Sequence, residues 1–460
     1  MKRSIRVALF ALLAFGSLIL ALRIFFRPLS QDEGVFLTIG QGITNGMLPY
    51  RDFFDHKTPG IHLLFAATSA ILPNNDLLPK ILLLAINILV VLLTAKLARR
   101  LGGNGWIAGS TMLLLLLFFE GNRLIAEPFL ALCLVVSVYL ITNVKPKPLN
   151  TFLAGVAIGA AVLFKQTSII SALGLMLWLL ISSESKSRVK QLFSFLLGFM
   201  LVIAMLYIYL DANKLLTLFW QQAFSLNFSS YPRESLSAII HGLLVPFILT
   251  MPIWISFLAY IIQQIKLGRL EKRELIVIFL AILPTPFFFV RHYPHYWLQI
   301  APFVAILASF MTPPNLSLHS QKERGLATIL SLVWLTLTLV VPIKDFFADF
   351  PKFFEEKRVA NNLRHYEGEY LLAENQFIGY YFLADKKPIN QYLYITEIND
   401  WSESAEQQTI EELKKQPGIP ILWPSDPNFA YAKRLQEYVL EHHKITKDYN
   451  EIGASLLMRD

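Results

Sequence analysis

Eleven apolar runs set the limits on how this 460-residue chain can fold; they lie near positions 6–26, 77–97, 106–119, 124–142, 151–164, 168–182, 190–210, 241–264, 275–290, 296–311 and 325–343. A helix crossing a bilayer needs about 20 apolar residues, somewhat fewer when it is short or tilted. Charged residues make up 16% of the chain, against roughly 25% in soluble domains, so the runs are read as the spans of an all-α polytopic membrane protein. Two further apolar stretches, near 34–44 and 61–72, are short and flanked by polar residues, and they are read as helices lying along the membrane interface. The first run is too long for the core of a signal peptide and lacks a small-x-small cleavage site, so it is expected to remain as the first span.

A net charge of +8 would suggest nucleic acid in a soluble chain. Here the basic residues gather in every second loop: Lys96/Arg99/Arg100, Lys145/Lys147, Lys186/Arg188/Lys190, Lys266/Arg269/Lys272/Arg273 and Lys322/Arg324. This alternation is what the positive-inside rule produces when the N-terminus is cytoplasmic, and it leaves no role for nucleic acid. Eleven spans then put the C-terminus outside, together with the long loop 29–79. The only cysteine, Cys133, lies in an apolar run, so no disulfide within the chain is available.

From about Lys344 the composition turns to mixed charge with Tyr and Asn. Residues 370–374, 419–423 and 454–458 are predicted as short strands, and 430–442 has helical spacing. The expected organisation is a membrane region, 1–343, followed by a small extracytoplasmic α/β domain, 344–460.

The outward loops carry the residues with chemistry. The acids are Asp32, Glu33, Asp52, Asp55, Glu120 and Glu127, and the bases are Arg51, His56, Lys57, Arg123, Lys165, Arg291, His292 and His295. Carboxylates held at the water boundary of a membrane bundle are costly unless they bind, pair or move protons. Lys and Arg neutralise a phosphate, and a carboxylate can take a proton from an acceptor hydroxyl. Plainer roles compete. Asp32 and Glu33 also suit a helix N-terminus, Glu120, Arg123 and Glu127 are spaced to neutralise one another, and Lys165 can snorkel to the interface. Tyr392, Tyr394 and Trp401 suit either sugar stacking or packing. His56, His292 and His295 have the donor chemistry of a divalent-metal site, but no tight ligand spacing groups them, and the sequence assigns no metal and no cofactor.

Several of these pieces together resemble the membrane-embedded glycosyltransferases of the C-type fold, in the bacterial branch of protein O-mannosyltransferases and lipid A aminoarabinose transferases. They are Asp32-Glu33-Gly34, Gly46-x-x-Pro49-Tyr50-x-Asp52, His56-Lys57-x-Pro59-Gly60, Arg99-Arg100-Leu-Gly102, Lys165 and His295-Tyr296. The resemblance implies a polyprenyl-phosphate sugar as donor and a lipid, glycan or protein as acceptor, in the cytoplasmic membrane. By resemblance, Asp32 is the base, Glu33 its partner, and Lys57 and Lys165 contact the donor phosphate. Tyr50, Asp52, His56, Arg291, His292, His295 and Tyr296 complete the expected substrate site. His56 departs from the aminoarabinose-transferase pattern, which has a carboxylate before this lysine. Two other readings differ in kind. A surface-glycan polymerase or ligase is expected to concentrate Arg and His in a large late outer loop, and a secondary transporter needs ionisable groups near mid-membrane.

Overall fold

The computed structural model describes residues 3–142, 147–182, 185–229, 235–268, 272–288, 293–310, 321–373, 375–394, 399–425 and 432–459. Its first half is a helical bundle. Helix α1 (Arg3–Phe25) leads into two short helices, α2 (Gln31–Thr44) and α3 (Gly60–Ile71). There follow α4 (Leu77–Arg100), α5 (Gly105–Phe118), α6 (Ala126–Ile141), α7 (Pro148–Phe164), α8 (Ser168–Ser182) and α9 (Ser185–Ala212). At 1.5 Å per residue, the 14 residues of α2 and 12 of α3 reach roughly 21 and 18 Å, short of the ~30 Å hydrocarbon core. Helix α5 is buried along nearly its whole length, from Ala108 to Phe118, and forms the centre of the bundle.

Among the described residues, three helices are long and apolar enough to cross a membrane alone: Arg6–Phe25, Leu77–Arg100 and Ser187–Ala212. Others are shorter or broken. The run 241–264, expected as one span, divides into α12 (Leu236–Leu249) and α13 (Met251–Leu267), bent by 71°. Pro246 lies inside α12, and Pro252 in the first turn of α13; each lacks the amide that would continue the ladder. The hydroxyl of Thr250 donates to the Pro246 carbonyl at 2.6 Å and accepts from Trp254 Nε1 at 3.0 Å, which fixes the corner. The expected span 275–290 likewise stops at Ile282, where α14 (Lys272–Ile282) gives way to α15 (Thr285–Phe288) across Pro284. The run 296–311 begins as a 3₁₀ turn, Pro294–Gln299, before α16 (Ala301–Ala308). Between α9 and α12, α10 (Leu216–Phe219), a π-helical turn Trp220–Ser225 and α11 (Leu226–Ser229) run continuously.

One helix, α17 (Gln321–Arg364), passes without interruption through position 344, where the composition changes. Beyond it lie β1 (Tyr370–Ala373), α18 (Gly379–Leu383), β2 (Lys387–Pro388), α19 (Asn399–Lys415), β3 (Ile421–Pro424), α20 (Lys433–His442), β4 (His443–Tyr449) and β5 (Ala454–Arg459). The sheet order is β2-β1-β3-β5-β4, with β1 parallel to β2 and β3 and the β3-β5-β4 ribbon antiparallel. The three predicted strands are present, with Glu374 outside the described residues. Strand β4 escaped the sequence reading because its five middle residues are all exposed, leaving no apolar alternation to detect.

Candidate active site

Two glycines explain how distant parts of the chain reach one another. A Cβ on Gly34 would lie 2.4 Å from the amide nitrogen of Gly379, so α18 of the C-terminal region rests directly on α2. A Cβ on Gly60 would lie 2.5 Å from the carbonyl of Leu163. The loop that carries Lys57 therefore meets the end of α7, next to Lys165.

At the start of α2 the two acids diverge, because consecutive helical residues point about 100° apart. Glu33 is fully buried. It accepts from the Ser30 amide at 2.8 Å, the Ser30 hydroxyl at 2.7 Å and the Leu124 amide at 2.6 Å, and it forms an ion pair with Arg27. Burial pushes its carboxyl up, but Arg27, Arg123 and the two amides outweigh this and hold it below its ordinary value. Arg27 in turn donates to the Asn122 carbonyl at 3.1 Å. Glu33 thus ties the first turn of α2 to the α5–α6 connection. Asp32 is half-buried. Among the described residues, no ion pair within 4 Å or side-chain hydrogen bond engages its carboxylate, although its charge acts on both Arg123 and Lys165.

The loop between α2 and α3 is held from inside. Tyr50 has no exposed surface and a left-handed backbone, φ 67°. Its hydroxyl donates to the Lys57 carbonyl at 2.8 Å, and its ring packs edge-on against Phe219. Asp52 accepts from the Leu48 amide at 2.7 Å and pairs with exposed Arg51. Both were expected in the substrate site. In the structure Tyr50 is buried and Asp52, partly exposed, closes a turn, so both shape the loop. Gln222, on the π-helical turn, accepts from the Asp55 amide at 3.2 Å and donates to the Tyr50 carbonyl at 2.8 Å, and Asn227 donates to the His56 carbonyl at 2.9 Å.

Asp55 is buried against His62 Nε2 at 2.7 Å, with His56 Nδ1 at 3.6 Å. Its burial is outweighed by the His62 hydrogen bond and by the charges of His62, His56 and Lys57, which hold its carboxyl down at about 2. The C-terminal region adds Tyr394, whose hydroxyl lies 3.1 Å from His56 Nδ1 and 3.4 Å from Asp55 Oδ1. The Phe54 amide donates to the Gln391 carbonyl at 2.8 Å. Tyr392 packs its ring on Phe54 at 5.7 Å. Tyr394 as a partner of His56, and His62 as a partner of Asp55, were missed in the sequence; a histidine in the apolar run 61–72 was the available signal for His62, while Tyr394 stood out only for sugar stacking or packing.

Lys165 is half-buried just past the end of α7. Its ammonium lies 2.7 Å from Glu127 Oε1 and 3.1 Å from the centre of the Tyr296 ring. Snorkelling is therefore not its role. Burial lowers it to about 8, with Glu127 opposing and Lys57 adding to the shift. His295, on the 3₁₀ turn, has Nδ1 2.7 Å from Glu120 Oε2 and Nε2 3.9 Å from Glu127 Oε1. Glu120 also pairs with Arg123 at 3.0 Å. Burial raises its carboxyl, but His295 and Arg123 bring it down to about 2. The sequence spacing of Glu120, Arg123 and Glu127 thus resolves into one local pair, with Glu127 turned to Lys165. Lys57 is half-buried and acts electrostatically on Asp55, Glu127 and Lys165. Asp32, Lys57, Lys165, Glu127, His295 and Tyr296 therefore share one locality; Arg291 and His292 lie outside the described residues. Among the described residues no group of three or more His, Cys, Asp or Glu side chains is arranged to hold a metal ion.

No protein-family model matches the chain, and no curated protein matches it. Solved structures do. ArnT from Cupriavidus metallidurans bound to undecaprenyl phosphate superposes with a TM-score of 0.67 at 13% identity, over 99% of this chain and 98% of that one. Its apo state gives 0.63 at 11% identity, over 97% of each chain. The archaeal oligosaccharyltransferase AglB from Archaeoglobus fulgidus, in complex with an inhibitory peptide and a dolichol-phosphate, gives 0.54 at 12% identity, over 92% of this chain and 70% of that one. Identity this low speaks to architecture alone, and the architecture extends over nearly the whole chain: this protein has the fold of the C-type membrane glycosyltransferases.

Proposed function

We propose that the protein is an inverting glycosyltransferase that moves a sugar from a polyprenyl-phosphate donor to a lipid, glycan or protein acceptor at the outer face of the cytoplasmic membrane. The observation that carries this reading is Asp32: a half-buried carboxylate with no close partner among the described residues, within the electrostatic reach of Lys165. Beside it, Lys57 acts on the same ammonium. In the reaction, the acceptor oxygen attacks the anomeric carbon from the face opposite the lipid phosphate. The carbon–oxygen bond to the phosphate breaks, the phosphate leaves with the electron pair, and Asp32 takes the acceptor proton. Lys57, Lys165 and Arg291 stabilise charge growing on the leaving phosphate. Glu127 and the Tyr296 ring hold the Lys165 ammonium in place, and Glu33 positions the helix that presents Asp32. The division into 1–343 and 344–460, with the N-terminus cytoplasmic and the C-terminal part outside, belongs to the same proposal.

The test is Asp32→Asn in a transfer assay with a labelled polyprenyl-phosphate sugar and membranes supplying acceptors. The amide keeps the volume but takes up no proton near neutral pH. Transfer is expected to fall by at least about 10²-fold with donor binding and thermal stability retained. Normal turnover by a well-folded variant removes Asp32 from the chemistry.

A further inference from the structure

Outside the candidate active site, the structure holds a buried carboxylate that is left half-satisfied. Glu356, on the outer part of α17, is 4% exposed. Its Oε1 accepts from the Leu29 amide at 2.9 Å, while its Oε2 is buried without a hydrogen-bond partner among the described residues. It lines a cavity of about 380 Å³ together with Leu29, Asp349, Lys352, Tyr380 and Glu451, within the ~300–1,000 Å³ range of small-ligand sites. The polar lining sets three carboxyl groups against one ammonium, with Lys357 and Lys80 acting on Glu356 from outside the lining.

The cavity's level along the molecule narrows the ligand. Leu29 lies four residues past the end of α1, and Phe26 packs on Phe350 and Phe353 of α17 at 5.6 and 5.8 Å. On α17, Phe347 is 67% and Phe354 53% exposed, with Phe350 between them also exposed. Exposed aromatics at i, i+3 and i+7 line one helix face, and this face begins four residues beyond the apolar run 325–343, which sets it at the headgroup level of a bilayer. A ligand available at that depth carries a phosphate. A ligand that answers three carboxyl groups carries a hydrogen-bonding cation.

From this geometry we propose that the cavity binds the headgroup of an aminophospholipid, its primary ammonium placed between Glu356, Asp349 and Glu451 and its phosphate beside Lys352. The ammonium supplies the donor that Glu356 Oε2 lacks, and a buried acceptor left unmade is costly. The carboxyl of Glu356, pushed up by burial to about 7, is drawn to its ionised form by such a cation. Choline, with three methyl groups, keeps the charge but offers no N–H, and glycerol headgroups lack the cation. The site rests on the chain's membrane setting and is independent of the transfer chemistry.

Native mass spectrometry of the full-length protein in detergent, given equal amounts of phosphatidylethanolamine, phosphatidylcholine and phosphatidylglycerol, tests this. Phosphatidylethanolamine is expected to be retained about ten-fold over the other two, the effect of one charge-assisted hydrogen bond. Glu356→Gln, isosteric and still able to accept from Leu29, is expected to abolish the preference. Lys352→Met, an exposed change with little risk to folding, is expected to weaken retention, and Glu369→Gln on the distant tail surface to leave it unchanged. Equal retention of the three lipids, or a preference that survives Glu356→Gln, overturns the proposal. So does a Glu356-dependent binding of Ca²⁺ or Mn²⁺ with no lipid preference, which would make the cavity a metal site. The readout is adduct mass, so failure here leaves the transferase reading untouched, and failure of Asp32→Asn to lose transfer leaves this site untouched.

Discussion

Replacing Glu33 with Gln separates framework from chemistry in the acidic pair. The carboxylate takes four contacts, from the Ser30 amide and hydroxyl on one oxygen and from Leu124 and Arg27 on the other. An amide keeps one oxygen and turns an NH₂ toward the second group of donors, whichever way it is flipped. Arg27 has a 7% exposed side chain and is left without its counter-charge. Removing one partner of a buried ion pair typically costs about 3–5 kcal/mol, so Glu33→Gln is expected to lower stability by that order. Thermal unfolding in detergent measures it, alongside Asp32→Asn, which loses no buried contact. The pH dependence gives a second check. Glu33 titrates below its ordinary 4.5 in the folded protein, so its contribution is present above about that pH and is lost as the pH falls through the lower folded value. The gap between wild type and Glu33→Gln is therefore expected to close in acid. An unchanged melting temperature for Glu33→Gln, with turnover abolished, would refute the framework role and make Glu33 a chemical group.

Three other outcomes are expected. Gly34→Ala sets a Cβ 2.4 Å from the Gly379 amide nitrogen, so it is expected to cost ~1–3 kcal/mol by overpacking, read as a lower melting temperature and faster proteolysis of the C-terminal region. Tyr394→Phe removes the hydroxyl 3.1 Å from His56; loss of about 1 kcal/mol, carried through the loop that bears Lys57, corresponds to roughly five-fold in kcat/KM, and unchanged kinetics would confine Tyr394 to packing. Glu356 has a folded value raised to about 7 from 4.5, so its stabilising effect is complete below about pH 4.5 and lost as the pH rises through 7. Glu356→Gln in lipid-free detergent is accordingly expected to melt near wild type at pH 4.5 and above it at pH 8, by up to about 3 kcal/mol.

Local chemistry made much of this protein legible in its residues. Apolar run length and the alternation of basic loops specify a helical membrane bundle, because a bilayer demands long apolar helices and a membrane potential sorts Lys and Arg by side. The short strands 370–373 and 421–424 announced themselves by apolar composition, and Asp32, Lys57 and Lys165 by the cost of holding charge at that boundary. Several things followed only from tertiary contact. The packing of Tyr50 against Phe219, the contact of Tyr394 with His56, and the choice of Lys165 rather than Arg123 as the partner of Glu127 depend on side chains 38 to 338 positions apart meeting in space. Glu33 shows the limit most plainly. Its position beside Asp32 looks like a catalytic pair, yet one helical residue of rotation sends one carboxylate into a buried arginine and leaves its neighbour unpaired among the described residues, and no property of either residue alone decides which is which.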